Sequence, residues 1–229
     1  MSKKLLVPLA LMLASAASLF LGFTLLRSAL VGFLLYYGLC CLALPALDIL
    51  ALRRIKPRSL SALLGILPLR RGDLALGLAL GLAMSAPMVL FLGLFRQLLF
   101  GDGRIHSVLA GWGAAGSSEA YVFVAMLAFN GAVEELFWRG FIHERLAALR
   151  SRPLALGLPA LLFAAQHVFV VSALVASPLL VGLFLAGILG AGLVWGMLRE
   201  LRGSVIPCVI SHVLVTAGYM GAFFFLAPS

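Results

Sequence analysis

Glu134, Glu135 and Arg139 lie inside a segment, Ala120 to Leu146, that otherwise reads as a membrane-spanning helix. Ionisable side chains at membrane depth are costly and mark functional sites with partners to be found. Two further apolar segments each carry an internal histidine, His167 and His212. A carboxylate and two imidazoles are the ingredients of a site that activates water. On a helix, Glu134 and Glu135 point about 100° apart. Glu135 and Arg139 are four apart in the favourable acid-before-base order. That spacing assigns Glu135 and Arg139 to mutual neutralisation and leaves Glu134 free to act as general base. Asn130 lies one turn before Glu134, Phe163 one turn before His167, and Thr216 one turn after His212. The competing structural reading has both acids merely capping the end of a tilted helix, with the histidines as interhelical hydrogen-bonding residues.

The elements that must position these groups are membrane spans. The chain has 229 residues, 63% hydrophobic and 11% charged, with a mean hydropathy of +1.15. No soluble globular domain approaches that composition. Apolar runs of about 20 residues recur along it, each long enough to cross a hydrocarbon core. The predicted fold is an all-α polytopic transmembrane bundle forming a single membrane domain over residues 1–229, with the chemistry concentrated in 120–226. Seven spans are expected: Leu5–Leu26, Ser28–Leu52, Leu74–Leu98, Ala120–Leu146, Leu154–Val171, Pro178–Leu198 and Val205–Leu226. The apolar loop from Leu60 to Leu69 leaves room for an eighth.

The net charge of +9 would suggest nucleic acid in a soluble protein. Here the basic residues gather in alternate short loops, around Arg53 to Arg71, Arg145 to Arg152, and Arg199 with Arg202. That pattern predicts orientation in a lipid bilayer, with the N-terminus cytoplasmic, and no nucleic-acid partner. Lys3-Lys4, an apolar stretch and Ala14-Ser15-Ala16 resemble a cleavable signal. The apolar run continues to Leu26, so a retained first helix is expected. The pairs Gly77 with Gly81 and Gly192 with Gly196 are spaced for close helix packing. The stretch from Phe100 to Glu119 reads as a loop or re-entrant segment over the outer face.

Counting at 1.5 Å per residue from the cytoplasmic loops puts His212 roughly 12 Å deep, Glu134 roughly 15–20 Å and His167 roughly 20 Å. The three therefore share a layer. His106 and His143 fall at other levels. A thiol mechanism at Cys208 is disfavoured because buried cysteine usually behaves as a small hydrophobe. Of the aspartates only Asp48 lies within a span, which disfavours an aspartyl dyad.

Glu-Glu-x-x-x-Arg at Glu134, Glu135 and Arg139 resembles the first signature of the type II CAAX prenyl protease and bacteriocin-processing family. Phe163 with His167 resembles its second signature, and His212 the histidine that opens the third. The resemblance covers Ala120 to the C-terminus; the first half of the chain carries none of these motifs. It implies an intramembrane endopeptidase acting near the cytoplasmic side on a membrane-anchored protein or peptide, in a bacterial inner membrane. One departure stands out: Thr216 occupies a position where the family has Asn or Asp, and a hydroxyl cannot supply an amide or carboxylate. Glu134, His167 and His212 could also form an open zinc site. The chain lacks His-Glu-x-x-His, however, which favours a cofactor-free glutamate mechanism over a single divalent metal such as zinc. The rival readings are a proton-coupled transporter and a non-catalytic membrane scaffold.

Overall fold

A computed structural model describes residues 3–49, 64–66, 68–100, 102–149 and 151–226. Among the described residues, six helices are long and apolar enough to cross a membrane: α1 (Leu5–Leu25), α2 (Ala29–Leu47), α3 (Asp73–Leu94), α5 (Arg152–Leu174), α6 (Pro178–Arg202) and α7 (Ile206–Leu226). The fourth expected span, α4, is continuously helical over 119–147 but is not among those six. It carries Glu134, Glu135, Arg139, Glu144 and Arg145, and this charge sets it apart from the lipid-facing helices. Among the described residues there is no strand. Arg53, Arg54, Lys56, Arg58 and half of the apolar loop expected over Leu60 to Leu69 lie outside the described residues, as do the side chains of Lys3 and Lys4.

Local sequence explains where the helices begin and stop. The Ser28 and Ser177 hydroxyls accept from Val31 N (3.3 Å) and Leu180 N (3.5 Å), capping α2 and α6. Gly203 ends α6 at φ +68°, a left-handed cap that suits glycine. Arg199 and Arg202 fill the last turn of α6, where the helix dipole favours cations. The helix expected to run to Leu98 ends at Leu94, and a second short helix follows over Arg96–Phe100. Over the stretch expected to be loop or re-entrant, a helix forms at Arg104–Gly111 and Trp112 buries itself against Phe23, ring centroids 4.8 Å apart.

The bundle has an apolar surface and encloses a polar cluster within its apolar core. Leu82, Leu90, Leu94, Leu179 and Phe225 are exposed on its surface, whereas Asn130, Glu134, Glu135, Arg139, Gln166, His212 and Thr216 are buried. That inversion is what a hydrocarbon solvent selects, since internal polar groups must find partners within the protein. Small residues let the helices close up. A Cβ at Gly77 would sit 2.8 Å from Ile210 Cβ, and one at Gly81 would sit 2.7 Å from Leu214 Cδ1, so these glycines seat α3 on α7. Gly192 and Gly196 do the same for α6 on α5, facing Ala160 and Leu156. A third close approach was not legible as a pair: a Cβ at Gly131 would lie 2.6 Å from Val213 N, so α4 and α7 all but touch beside the carboxylates. Helix α4 is thereby surrounded by α2, α5, α6 and α7.

Candidate active site

Helix α4 is not a regular α-helix where the chemistry lies. Wide π-helical turns at Met126–Asn130 and Leu136–Ile142 bracket one α-helical stretch, Gly131–Glu135. Such turns recur at functional sites because they re-aim side chains. The α-helical stretch presents Glu134 and Glu135 to α7, each almost completely buried at 2% and 0% exposure.

The Glu135–Arg139 pair expected from the spacing is present, with Arg139 Nη1 donating to Glu135 Oε1 at 2.7 Å. Neutralisation is only part of its work. His212 Nδ1 also meets Glu135 Oε1, at 2.9 Å. A carboxylate only accepts, so it places the imidazole proton on Nδ1 and leaves Nε2 to face outward. That Nε2 faces Glu134 Oε2 at 3.7 Å. Glu135 therefore orients His212 while Glu134 stands across from it.

Arg139 is held on its other side by α6, donating Nη2 to the Gly192 carbonyl at 3.1 Å. Its guanidinium carbon lies 4.9 Å from the Phe163 ring centroid and 5.2 Å from that of Trp195. Trp195 in turn stacks on His212, with centroids 4.1 Å apart and planes 18° apart, and donates Nε1 to Ser211 Oγ at 2.6 Å. His212 is thus fixed by a hydrogen bond in its plane and an indole on its face.

His167 sits where α5 breaks between its Arg152–Gln166 and Val168–Leu174 portions. Its Nδ1 lies 2.6 Å from the Phe163 carbonyl, which can only accept, so the proton again belongs on Nδ1. The Phe163 ring packs edge-on against both imidazoles, 4.7 Å from His167 and 6.2 Å from His212. The structure therefore brings Glu134, Glu135, Arg139 and His212 into direct contact and joins His167 to them through Phe163.

Asn130 and Thr216 meet on the far side of Glu134. The amide orientation that satisfies every neighbour turns the nitrogen toward Glu134, at 3.2 Å from Oε1 and 3.3 Å from Oε2. The oxygen then accepts from Thr216 Oγ1 at 3.0 Å and Tyr219 OH at 3.2 Å.

Residues that could have joined the site are engaged elsewhere. His143 contacts the Ala155 carbonyl at 3.2 Å, His106 packs on Phe223 and the Cys208 thiol donates to the Trp195 carbonyl. Asp48 pairs with Arg145. Among the described residues no group of three or more His, Cys, Asp or Glu side chains could hold a metal ion.

The motif reading missed the contribution of α2. Tyr36 OH accepts from Trp138 Nε1 at 3.2 Å and from Gln166 Nε2 at 2.8 Å. Both lone pairs are then engaged, and the hydroxyl lies beside the Glu134 carboxylate. Gln166 is itself held by Ser15 of α1, Oγ to Oε1 at 2.8 Å. Tyr37 OH lies 2.7 Å from the Asn130 amide. The only available signal was two adjacent phenols in a lipid-spanning helix, where a buried hydroxyl has to find a partner.

The family model described as "Type II CAAX prenyl endopeptidase Rce1-like" matches residues 116–218. Neither curated proteins nor solved structures give a match.

Proposed function

We propose, from the match of residues 116–218 to the type II CAAX prenyl endopeptidase Rce1-like family model, a glutamate-type hydrolysis run by Glu134. The match and the six apolar helices support a multi-pass membrane protease. The finer reading rests on one observation: Glu134 Oε2 and His212 Nε2 face each other at 3.7 Å inside a bundle whose surface is apolar. Two acceptors aimed at one point are satisfied together by a water that donates one proton to each. Glu134 takes a proton from that water, and the oxygen attacks the scissile carbonyl carbon. The proton then passes to the leaving nitrogen as the C–N bond breaks. His167, whose proton is held on Nδ1 by the Phe163 carbonyl, keeps Nε2 as an acceptor that helps orient the water. Glu135, fixed by Arg139, keeps His212 in the tautomer the step requires.

A single zinc ion would polarise the carbonyl and the water if it were bound. The donor set does not fit one. Each histidine keeps Nε2 free, but no three His, Cys, Asp or Glu side chains converge among the described residues. This supports the cofactor-free reading, and no step is routed through a metal.

We place the reacting layer in the cytoplasmic half of a bacterial inner membrane. Supporting this, Asp48–Arg145, Glu144–Arg199 and Asp73–Arg202 pair at one end of the bundle, beside the basic loops. Glu134 lies about 16 Å from that end at 1.5 Å per residue. The substrate is a membrane-anchored protein or peptide that presents its bond at that depth.

The test compares protein termini in membrane and secreted fractions from cells making the wild type or Glu134→Gln. New termini that depend on the wild-type protein and vanish in Glu134→Gln are expected. Identical termini in both strains would reject the reading.

A further inference from the structure

We propose that Asn130, held from two neighbouring helices by Tyr37, Thr216 and Tyr219, is the positioning residue that fixes the Glu134 carboxylate opposite His212. This inference rests on Glu134 being the working base.

Asn130 is the only asparagine in the chain, and it lies 6% exposed in a membrane-buried helix. A side-chain amide offers two donor hydrogens and two acceptor lone pairs. Every one of these has a partner here. The nitrogen serves Tyr37 OH at 2.7 Å and the Glu134 carboxylate at 3.2 and 3.3 Å; the oxygen takes Thr216 Oγ1 at 3.0 Å and Tyr219 OH at 3.2 Å. A helix-packing amide needs only one such contact. The reversed amide would keep its three hydroxyl contacts but turn its oxygen on the Glu134 carboxylate, so the carboxylate selects the orientation and takes one of the donors.

The arrangement also gives Thr216 a role. Its hydroxyl cannot bridge both Tyr37 and Glu134, because it has one proton. It can lock the amide that does, from 3.0 Å away on α7. Amide and hydroxyl therefore form one junction whose two members stand on facing helices. Exchanging them keeps the same complement of donors and acceptors between α4 and α7. Tyr37 and Tyr219 extend the junction outward, and neither belongs to the matched segment 116–218.

The experiment is pH-induced infrared difference spectroscopy of the full chain in lipid nanodiscs. The Glu134 carboxyl band is identified by its loss in Glu134→Gln. Asn130→Ala and the gentler Tyr37→Phe should both shift that band, and the exchange variant Asn130→Thr/Thr216→Asn should return it. In parallel, cleavage of an internally quenched peptide with a farnesylated CAAX tail should lose kcat roughly 10- to 100-fold in Asn130→Ala, the size of one hydrogen bond to a charged group. KM should stay unchanged, and the exchange variant should recover kcat. An unmoved band in Asn130→Ala or Tyr37→Phe overturns the inference, as does an exchange variant that behaves like the single one. Cleavage that survives Glu134→Gln strikes down the proteolytic reading instead, while the infrared comparison still judges Asn130.

Discussion

Replacing Glu135 by Leu tests the claim that one carboxylate oxygen serves both Arg139 and His212. The change removes two charge-assisted hydrogen bonds, at 2.7 and 2.9 Å. At about 1.5–3 kcal/mol each these total about 3–6 kcal/mol. The independent figure for stranding one member of a buried pair is about 3–5 kcal/mol. Arg139, 2% exposed, keeps only the Gly192 carbonyl and two ring faces. Adding Arg139→Met removes the stranded cation and fills its volume with an apolar chain. The remaining cost is the orphaned His212 Nδ1–H, about 1–3 kcal/mol. The double variant should therefore regain about 2 kcal/mol over the single one. In a chain of this size that is a rise in Tm of about 4–8 °C, read by thermal unfolding in detergent micelles. Stability returns without activity, because His212 no longer has the acceptor that sets its tautomer. A double variant no more stable than Glu135→Leu, or one that still cleaves substrate, would refute the reasoning.

Gly131→Ala forces a Cβ to 2.6 Å from Val213 N, so α4 and α7 must separate. A loss of about 1–3 kcal/mol, together with loss of cleavage, is expected from unfolding and activity assays. Trp195→Phe keeps an aromatic face over His212 and forfeits only the 2.6 Å bond to Ser211. It should retain most of kcat at a stability cost of about 1 kcal/mol, whereas Trp195→Leu should lose the activity. Dialysis of the purified protein against EDTA should leave cleavage intact, and added zinc should not raise it. A rate that falls with EDTA and returns with zinc would overturn the metal-free mechanism.

Six of the helices were legible in composition because lipid demands long apolar runs, and α1 through α7 fall close to the expected spans. Helix α4 stood out for the opposite reason: its charges marked it as the candidate site. The Glu135–Arg139 pair could be read because it is local, four residues along one helix. The His212–Glu135 contact could not, since it joins residues 77 apart in sequence and depends on Gly131 bringing α4 against α7. Nor does spacing along one helix reveal the π-helical turns that aim the carboxylates. Tyr36 and Tyr37 were silent for a different reason. A phenol in an apolar run scores as hydrophobic, and only tertiary packing shows where its hydroxyl points.

The tyrosines of α2 bear on how this protein can be taken apart or recombined. The segment that matches the family model begins at residue 116, yet the Asn130 amide that meets Glu134 is held by Tyr37 of α2. The proposed catalytic machinery is therefore not modular. A chimera that grafts α4 to α7 onto unrelated leading spans will assemble a membrane bundle with an unsupported carboxylate at its centre. One that carries Ser15, Tyr36 and Tyr37 along with the graft has the scaffold its chemistry depends on.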